Sequence, residues 1–96
     1  MSLLTILHLL EQLQAKITDD SDVVWTRFDT PAALRAELEG YIEQLKGENT
    51  SCLKQIDLHF GPTSTFQEHA ISNGWGEEYL QLAAAFDKAY ASFLAN

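Results

Sequence analysis

Apolar residues recur at spacings of three and four over three stretches of the chain, which is the period of an α-helix with one buried face. In the first stretch, 2–17, they are Leu3, Ile6, Leu7, Leu10, Leu13 and Ile17. In the second, 31–46, they are Leu34, Leu38, Tyr41, Ile42 and Leu45. In the last, from Gly76 onward, they are Tyr79, Leu82, Ala83, Phe86, Tyr90 and Phe93. The three stripes predict three long helices. Leu4 and Leu9 widen the first stripe, so we expect that helix to lie centrally in the core or at a subunit interface.

Start and stop signals divide the rest of the chain. A capping residue before Pro31 starts the second helix, and Gly47 is a natural stop. Two overlapping capping boxes in 64–68 predict a short helix that ends at Asn73-Gly74. Gly40 lies inside the second helix at a cost of about 1 kcal/mol relative to alanine, which predicts a bulky neighbour close to its backbone, with Trp25 and Trp75 as candidates.

The segment 50–60 fits two structures. Ile56, Leu58 and Phe60 alternate as in a strand, whereas Cys52, Leu53, Ile56 and Phe60 share one face of a helix. Capping residues at 49–51 favour the helix. We therefore predict one domain, 1–96, with a mainly α fold of four or five helices and with Val23–Phe28 packed across it. The alternative is an α+β fold with a two-stranded sheet formed by 22–28 and 54–60.

Charge narrows the classes of partner. Fourteen acidic residues against six basic ones give a formal net charge of −8. Nucleic acid and anionic membranes are therefore excluded as expected partners, because both are bound through clustered cations, and a basic protein partner is favoured. The single cysteine, Cys52, cannot form an internal disulfide, and no cationic segment precedes the apolar residues of the first helix. We expect a soluble protein of the reducing cytoplasm.

Residues that could carry chemistry are present, but their spacing is wrong for it. His59 and His69 lie near acidic residues without forming any helical or turn pair typical of a metal site, so we expect no metal and no cofactor, with both histidines solvent-facing or locally bonded. His8 is expected at the edge of the core, and Cys52 as a buried, inert thiol. The loop 61–65 lacks the glycines and lysine of a phosphate-binding loop. We therefore do not expect an independent enzyme.

The segment 60–79 has the most individual sequence. Its Phe60-x-Pro62-Thr63 turn, Gln67 and Asn73-Gly74-Trp75 followed by acidic residues resemble a pattern in small bacterial proteins of unassigned function. The resemblance covers about a fifth of the chain well and implies no activity. Trp75, between two glycines, is either a core anchor at a helix–helix corner or an exposed hot spot for a partner.

Three hypotheses for function follow. The first is a protein-binding module, alone or as a homodimer, whose surface comprises Phe66, Gln67, Asn73 and Trp75. The second is an acidic inhibitor of the immunity or antitoxin type that covers a basic protein through Asp19, Asp20, Asp22, Glu77 and Glu78. The third is a small enzyme or ligand binder that uses His59, His69 and Gln67, which requires a pocket that unites these three side chains.

Overall fold

The chain is helical over most of its length. The computed structural model describes residues 2–23, 26, 28–61 and 65–95. Within them lie five α-helices: α1 (Ser2–Ala15), α2 (Pro31–Lys46), α3 (Leu53–His59), α4 (Thr65–Ser72) and α5 (Gly76–Ala95). None of the described residues is in a β-strand. The prediction of a mainly α fold with up to five helices is confirmed.

The alternative two-stranded sheet is wrong. Most of the segment 54–60 lies in α3, where Leu53, Ile56 and His59 are buried on one face. Helical hydrogen bonding therefore uses the backbone groups that a second strand would have needed. The other half of that sheet is also the segment expected to pack across the domain. Three of its residues lie outside the described residues: Val24, Trp25 and Arg27.

Helix α1 is central, which is one of the two placements predicted from its wide apolar stripe, although Leu4 at the edge of that stripe is exposed. It packs against both α2 and α5, and Ile6, Leu10 and Leu13 are fully buried. Lys16, just after α1, forms an ion pair with Glu78 in the first turn of α5, which places the end of α1 beside the start of α5. The two helices therefore run antiparallel. No helix among the described residues is long and apolar enough to cross a membrane.

Helix α2 begins and ends where local chemistry predicts. The Thr30 hydroxyl accepts a hydrogen bond from the backbone N–H of Ala33, and Pro31 occupies the first turn. At the other end, the left-handed residue is Glu48, with φ 63°, rather than Gly47, with φ −85°. The N–H of Asn49 then donates to the carbonyl of Gln44. This is the hydrogen-bond pattern of a Schellman cap, built here on a glutamate.

The prediction of a bulky neighbour at Gly40 is wrong as far as the described residues go, Trp75 included. Gly40 is exposed, and a Cβ added to it would meet none of these residues within 4 Å; Trp25, the other candidate, lies outside them. The glycine in α2 therefore serves no packing role among the described residues, and its cost in helix propensity is uncompensated there.

Phe60, just after α3, joins the three C-terminal helices. Its ring stacks on Phe86 of α5 at a centroid distance of 4.4 Å and meets Phe66 of α4 edge-on at 5.0 Å. Its backbone carbonyl accepts a hydrogen bond of 2.8 Å from the Tyr79 hydroxyl. This bond gives the buried Tyr79 hydroxyl a polar partner. Desolvation by burial raises the pKa of Tyr79.

The corner between α4 and α5 is a second Schellman cap. Gly74 is left-handed, with φ 82°, as the Asn73-Gly74 sequence predicts. The N–H of Trp75 donates to Ala70 and that of Gly74 to Ile71, so both orphan carbonyls are satisfied. The turn directs Trp75 inward immediately before α5 begins.

Candidate functional site

Trp75 and Phe66 are core residues. Only 7% of Trp75 and 1% of Phe66 are exposed. The Trp75 indole meets the His69 ring edge-on at 5.6 Å, and Lys16 lies above it with its Nζ 5.9 Å from the ring centroid. The interpretation of Trp75 as a core anchor is confirmed. The predicted surface is therefore incorrect at both aromatic positions, because neither ring is presented to a partner.

Asn73 is used within the fold. Its Oδ1 accepts a hydrogen bond of 2.7 Å from the N–H of Asp22, and its Nδ2 donates to the carbonyls of Asp22 and His69, both at 2.8 Å. Gln67 is half-buried in α4. The four residues expected to form one surface are therefore divided: two lie in the core, Asn73 bridges to the 18–22 loop, and Gln67 is half-buried.

His69, itself buried, forms a polar cluster with the half-buried Ser21. Its Nε2 lies 3.1 Å from the Ser21 hydroxyl oxygen, and that hydroxyl lies 2.7 Å from the Thr18 carbonyl, which can only accept. A serine hydroxyl has one proton, so it donates to Thr18, and Nε2–H of His69 donates to Ser21. The pair is not arranged as a nucleophile and its base, because the serine proton points away from the imidazole.

Two polar atoms beside this cluster have no hydrogen-bond partner among the described residues. They are Nδ1 of His69 and Nε1 of Trp75, both buried. Burial lowers the pKa of His69, and the carboxylate of Asp22 opposes that effect. His69 is therefore held neutral in the fold, with Nδ1 as an unprotonated acceptor.

His59 lies in a different cluster, on the α2 side. Its Nε2 is 3.1 Å from the Tyr41 hydroxyl and 3.6 Å from the Glu37 carboxylate, while Tyr41 donates to Glu37 at 2.6 Å. The expectation of solvent-facing histidines is wrong for both His59 and His69, because each completes a buried polar cluster. Their local bonding, the other half of that expectation, is confirmed.

Neither metal binding nor a histidine pocket receives support. The described residues contain no group of three or more histidine, cysteine or acidic side chains that could hold a metal ion. The grooves found on this part of the chain are lined by neither histidine. Cys52 is buried as expected, and burial raises the pKa of its thiol, which keeps it protonated. His8, expected at the edge of the core, is exposed.

The acidic residues of the inhibitor hypothesis are partly neutralised within the chain. Asp19 forms an ion pair with Arg35, and Glu78 forms one with Lys16. Asp20 is exposed, and the hydrogen bond from the Thr18 hydroxyl lowers its pKa. Asp22 and Glu77 are also exposed. The surface is acidic here, but two of its five charges already have a cation.

The described surface also has an apolar feature that the sequence reasoning missed. Leu80 and Leu94 of α5 are 60% and 66% exposed. Ala84, Asp87 and Ala91 are exposed between them, at successive spacings of four, three, four and three. Such spacings return to one face of a helix, so the five residues form a single line, which we call the α5 stripe. The α5 stripe is distinct from the buried side of the helix, where Tyr79, Phe86 and Ala89 lie.

Comparison with known proteins gives no further guide. No family model, curated protein or solved structure matches this chain. The α5 stripe must therefore be interpreted from its own residues. The sequence signal for it was the pair Leu80 and Leu94, which do not belong to the stripe that predicts the core.

Proposed function

We propose that this chain is a protein–protein interaction module and that the α5 stripe is its contact surface. The observation that carries the proposal is the exposure of two leucines on one line of one helix, with alanines between them. Isolated surface leucines are ordinary, but a heptad-spaced line is the pattern with which helices bind other helices or grooves. Its five positions span about 21 Å at the helical rise.

The opposite face of α5 supports this proposal. Tyr79, Phe86 and Ala89 are buried, and α5 packs against both α1 and α4. The helix is therefore held by the core and presents the α5 stripe without any need to fold on binding. A preformed surface loses less conformational entropy on association than a flexible one.

A second candidate remains the acidic inhibitor of a basic protein. It is favoured by the net charge of −8 and by exposed Asp20, Asp22 and Glu77. Ionic strength separates the two candidates. Affinity for a partner that meets these acids should fall steeply with added salt, whereas affinity at the α5 stripe should change little.

The experiment is a quantitative pull-down from native lysate with wild type, Leu80→Gln and Leu94→Gln. The matched control is Leu58→Gln, because Leu58 is 70% exposed on a different helix, α3. Circular dichroism establishes that all variants remain folded. We expect the two α5 variants to lose a partner that the control retains. Retention of every partner by Leu80→Gln and Leu94→Gln would contradict the proposal.

A further inference from the structure

We propose that the partner of the α5 stripe is the α5 stripe of a second copy of this chain, in an antiparallel pair about a twofold axis near Asp87. The inference rests on the proposed function and names its partner. Three observations carry it: the order of residues along the stripe, the small size of its inner residues, and the charges at its centre.

The order of residues is self-complementary. From one end to the other the α5 stripe is Leu80, Ala84, Asp87, Ala91 and Leu94, which has the same sequence in either direction. A twofold interface requires that when one residue contacts another, the reverse contact also forms. An antiparallel copy centred on Asp87 meets this condition. Leu80 and Leu94 are each seven residues from Asp87 and therefore face one another, and Ala84, three residues from Asp87, lies within one residue of facing Ala91, which is four residues away. A shift by one half-heptad in either direction would separate the two leucines and place Leu80 opposite Ala91 or Leu94 opposite Ala84.

The inner residues allow close approach. Ala84 and Ala91 project only a methyl group, so the two helix axes can come within about 8 Å, the lower end of helix–helix distances. At that separation the longer side chains of Leu80 and Leu94 cover the two ends of the contact. Both leucines, more than half exposed in the single chain, would then be removed from water.

Charge at the centre favours the same pairing. Asp87 and Lys88 are adjacent and exposed, and neither forms an ion pair among the described residues. Across an axis near Asp87, each Asp87 lies beside Lys88 of the other copy. The two opposite-charge pairs offset the proximity of the two aspartates. A protein with a net charge of −8 thereby meets its copy through a region that is locally neutral.

The first test uses charge reversal. Sedimentation velocity is measured for wild type, Asp87→Lys and Lys88→Asp at concentrations up to about 500 µM, a range that detects weak dimers. We expect wild type to dimerise and each variant alone to dimerise at least about tenfold more weakly, because four like charges then meet at the axis. An equimolar mixture of the two variants should recover a dimer. Glu43→Lys and Lys46→Glu, on the exposed side of α2, make the same changes in net charge and should leave wild-type dimerisation unaltered.

The second test determines the pairing of residues. Ala84→Cys and Ala91→Cys are oxidised separately and as a mixture. In the proposed pair, position 84 lies within one residue of facing position 91, so the mixture should form an intermolecular disulfide. Two copies of position 84 would be offset by six residues, about 9 Å along the helix, and two copies of position 91 by eight residues, about 12 Å, both beyond disulfide reach. Wild type oxidised in the same way is the control for any disulfide formed by Cys52, which is buried.

The outcomes separate the two proposals. A wild type that stays monomeric at every concentration, or a failure of the mixed variants to associate, would overturn the second-copy inference. If the protein did not self-associate but Leu80→Gln failed to capture a lysate protein that wild type captures, the α5 stripe would remain a contact surface for a different partner. If lysate partners and self-association both survived Leu80→Gln and Leu94→Gln, the proposed function would fail as well.

Discussion

The side chain of Asn73 makes the two hydrogen bonds to Asp22 that a neighbouring β-strand would make. Its Oδ1 accepts from the Asp22 N–H at 2.7 Å, and its Nδ2 donates to the Asp22 carbonyl at 2.8 Å. The same Nδ2 donates to the His69 carbonyl at the end of α4. One amide thus ties the 18–22 loop to a helix end that lies fifty-one residues further along the chain.

Removal of this amide should destabilise the fold. Asn73→Ala removes all three of these side-chain hydrogen bonds, so we expect a loss of about 1–3 kcal/mol in the free energy of unfolding. Urea denaturation measures the loss, and hydrogen exchange should show a deprotected Asp22 amide. Gln55→Ala, at an exposed position in α3, is the matched amide deletion and should change stability by less than about 0.5 kcal/mol. Equal stability of the two variants would contradict the bridge.

Replacement of Glu48 by glycine should stabilise the protein. It is held at φ 63°, where a side chain costs about 1–2 kcal/mol and glycine costs none. Glycine is also more flexible in the unfolded chain, so we expect Glu48→Gly to raise the free energy of unfolding by about 0.5–1 kcal/mol. Chemical denaturation measures it. Glu43→Gly, the same substitution within α2, should instead lower stability by about 1 kcal/mol.

Replacement of Gly40 by alanine should stabilise the protein. It lies in the middle of α2 with open space around its missing Cβ. Gly40→Ala should therefore increase stability by about 0.5–1 kcal/mol through helix propensity alone. Gly74→Ala is the informative contrast, because Gly74 has φ 82° and alanine would be strained there. A destabilising Gly40→Ala in thermal unfolding would show that an unrecognised group approaches that backbone.

His69 should make stability depend on pH. Burial lowers the pKa of His69 below its unfolded value of about 6.5, so the unfolded chain binds a proton more readily than the folded one. The contribution of neutral His69 to stability is present above about pH 6.5 and is lost as the pH falls toward the lowered pKa. The difference in unfolding free energy between wild type and His69→Phe should therefore shrink from pH 8 to pH 5. If the difference between wild type and His69→Phe stayed constant from pH 8 to pH 5, the assignment of a neutral, buried His69 would be contradicted.

Local signals in the sequence were sufficient for much of the fold. Thr30 and Pro31 define the start of α2 because caps act over one turn of chain, and the helix ends at the predicted place although Glu48, not Gly47, is the left-handed residue. The segment 50–60 was ambiguous, since Ile56 and Phe60 satisfy both periods, and only packing against α4 and α5 selects the helix.

The candidate site was less predictable, for physical reasons. Asn73 was recognisable as a helix end, but its bond to Asp22 joins residues fifty-one positions apart, which no local pattern encodes. Trp75 was left between a core anchor and an exposed hot spot, because a tryptophan between two glycines is compatible with both. The α5 stripe was missed because helical periodicity was used to find the face that is buried within one chain. Leu80 and Leu94 lie on the exposed face of α5 and so do not belong to that pattern.

The position of Phe60 at the C-terminal end of α3 has a consequence for local unfolding of the protein. α3 and α4 are too short to persist alone, and the Phe60 ring at the end of α3 packs on both Phe66 of α4 and Phe86 of α5. Opening of either short helix therefore removes a contact that stabilises the other. The amides of α3 and α4 should exchange with solvent at similar free energies, as one cooperative unit.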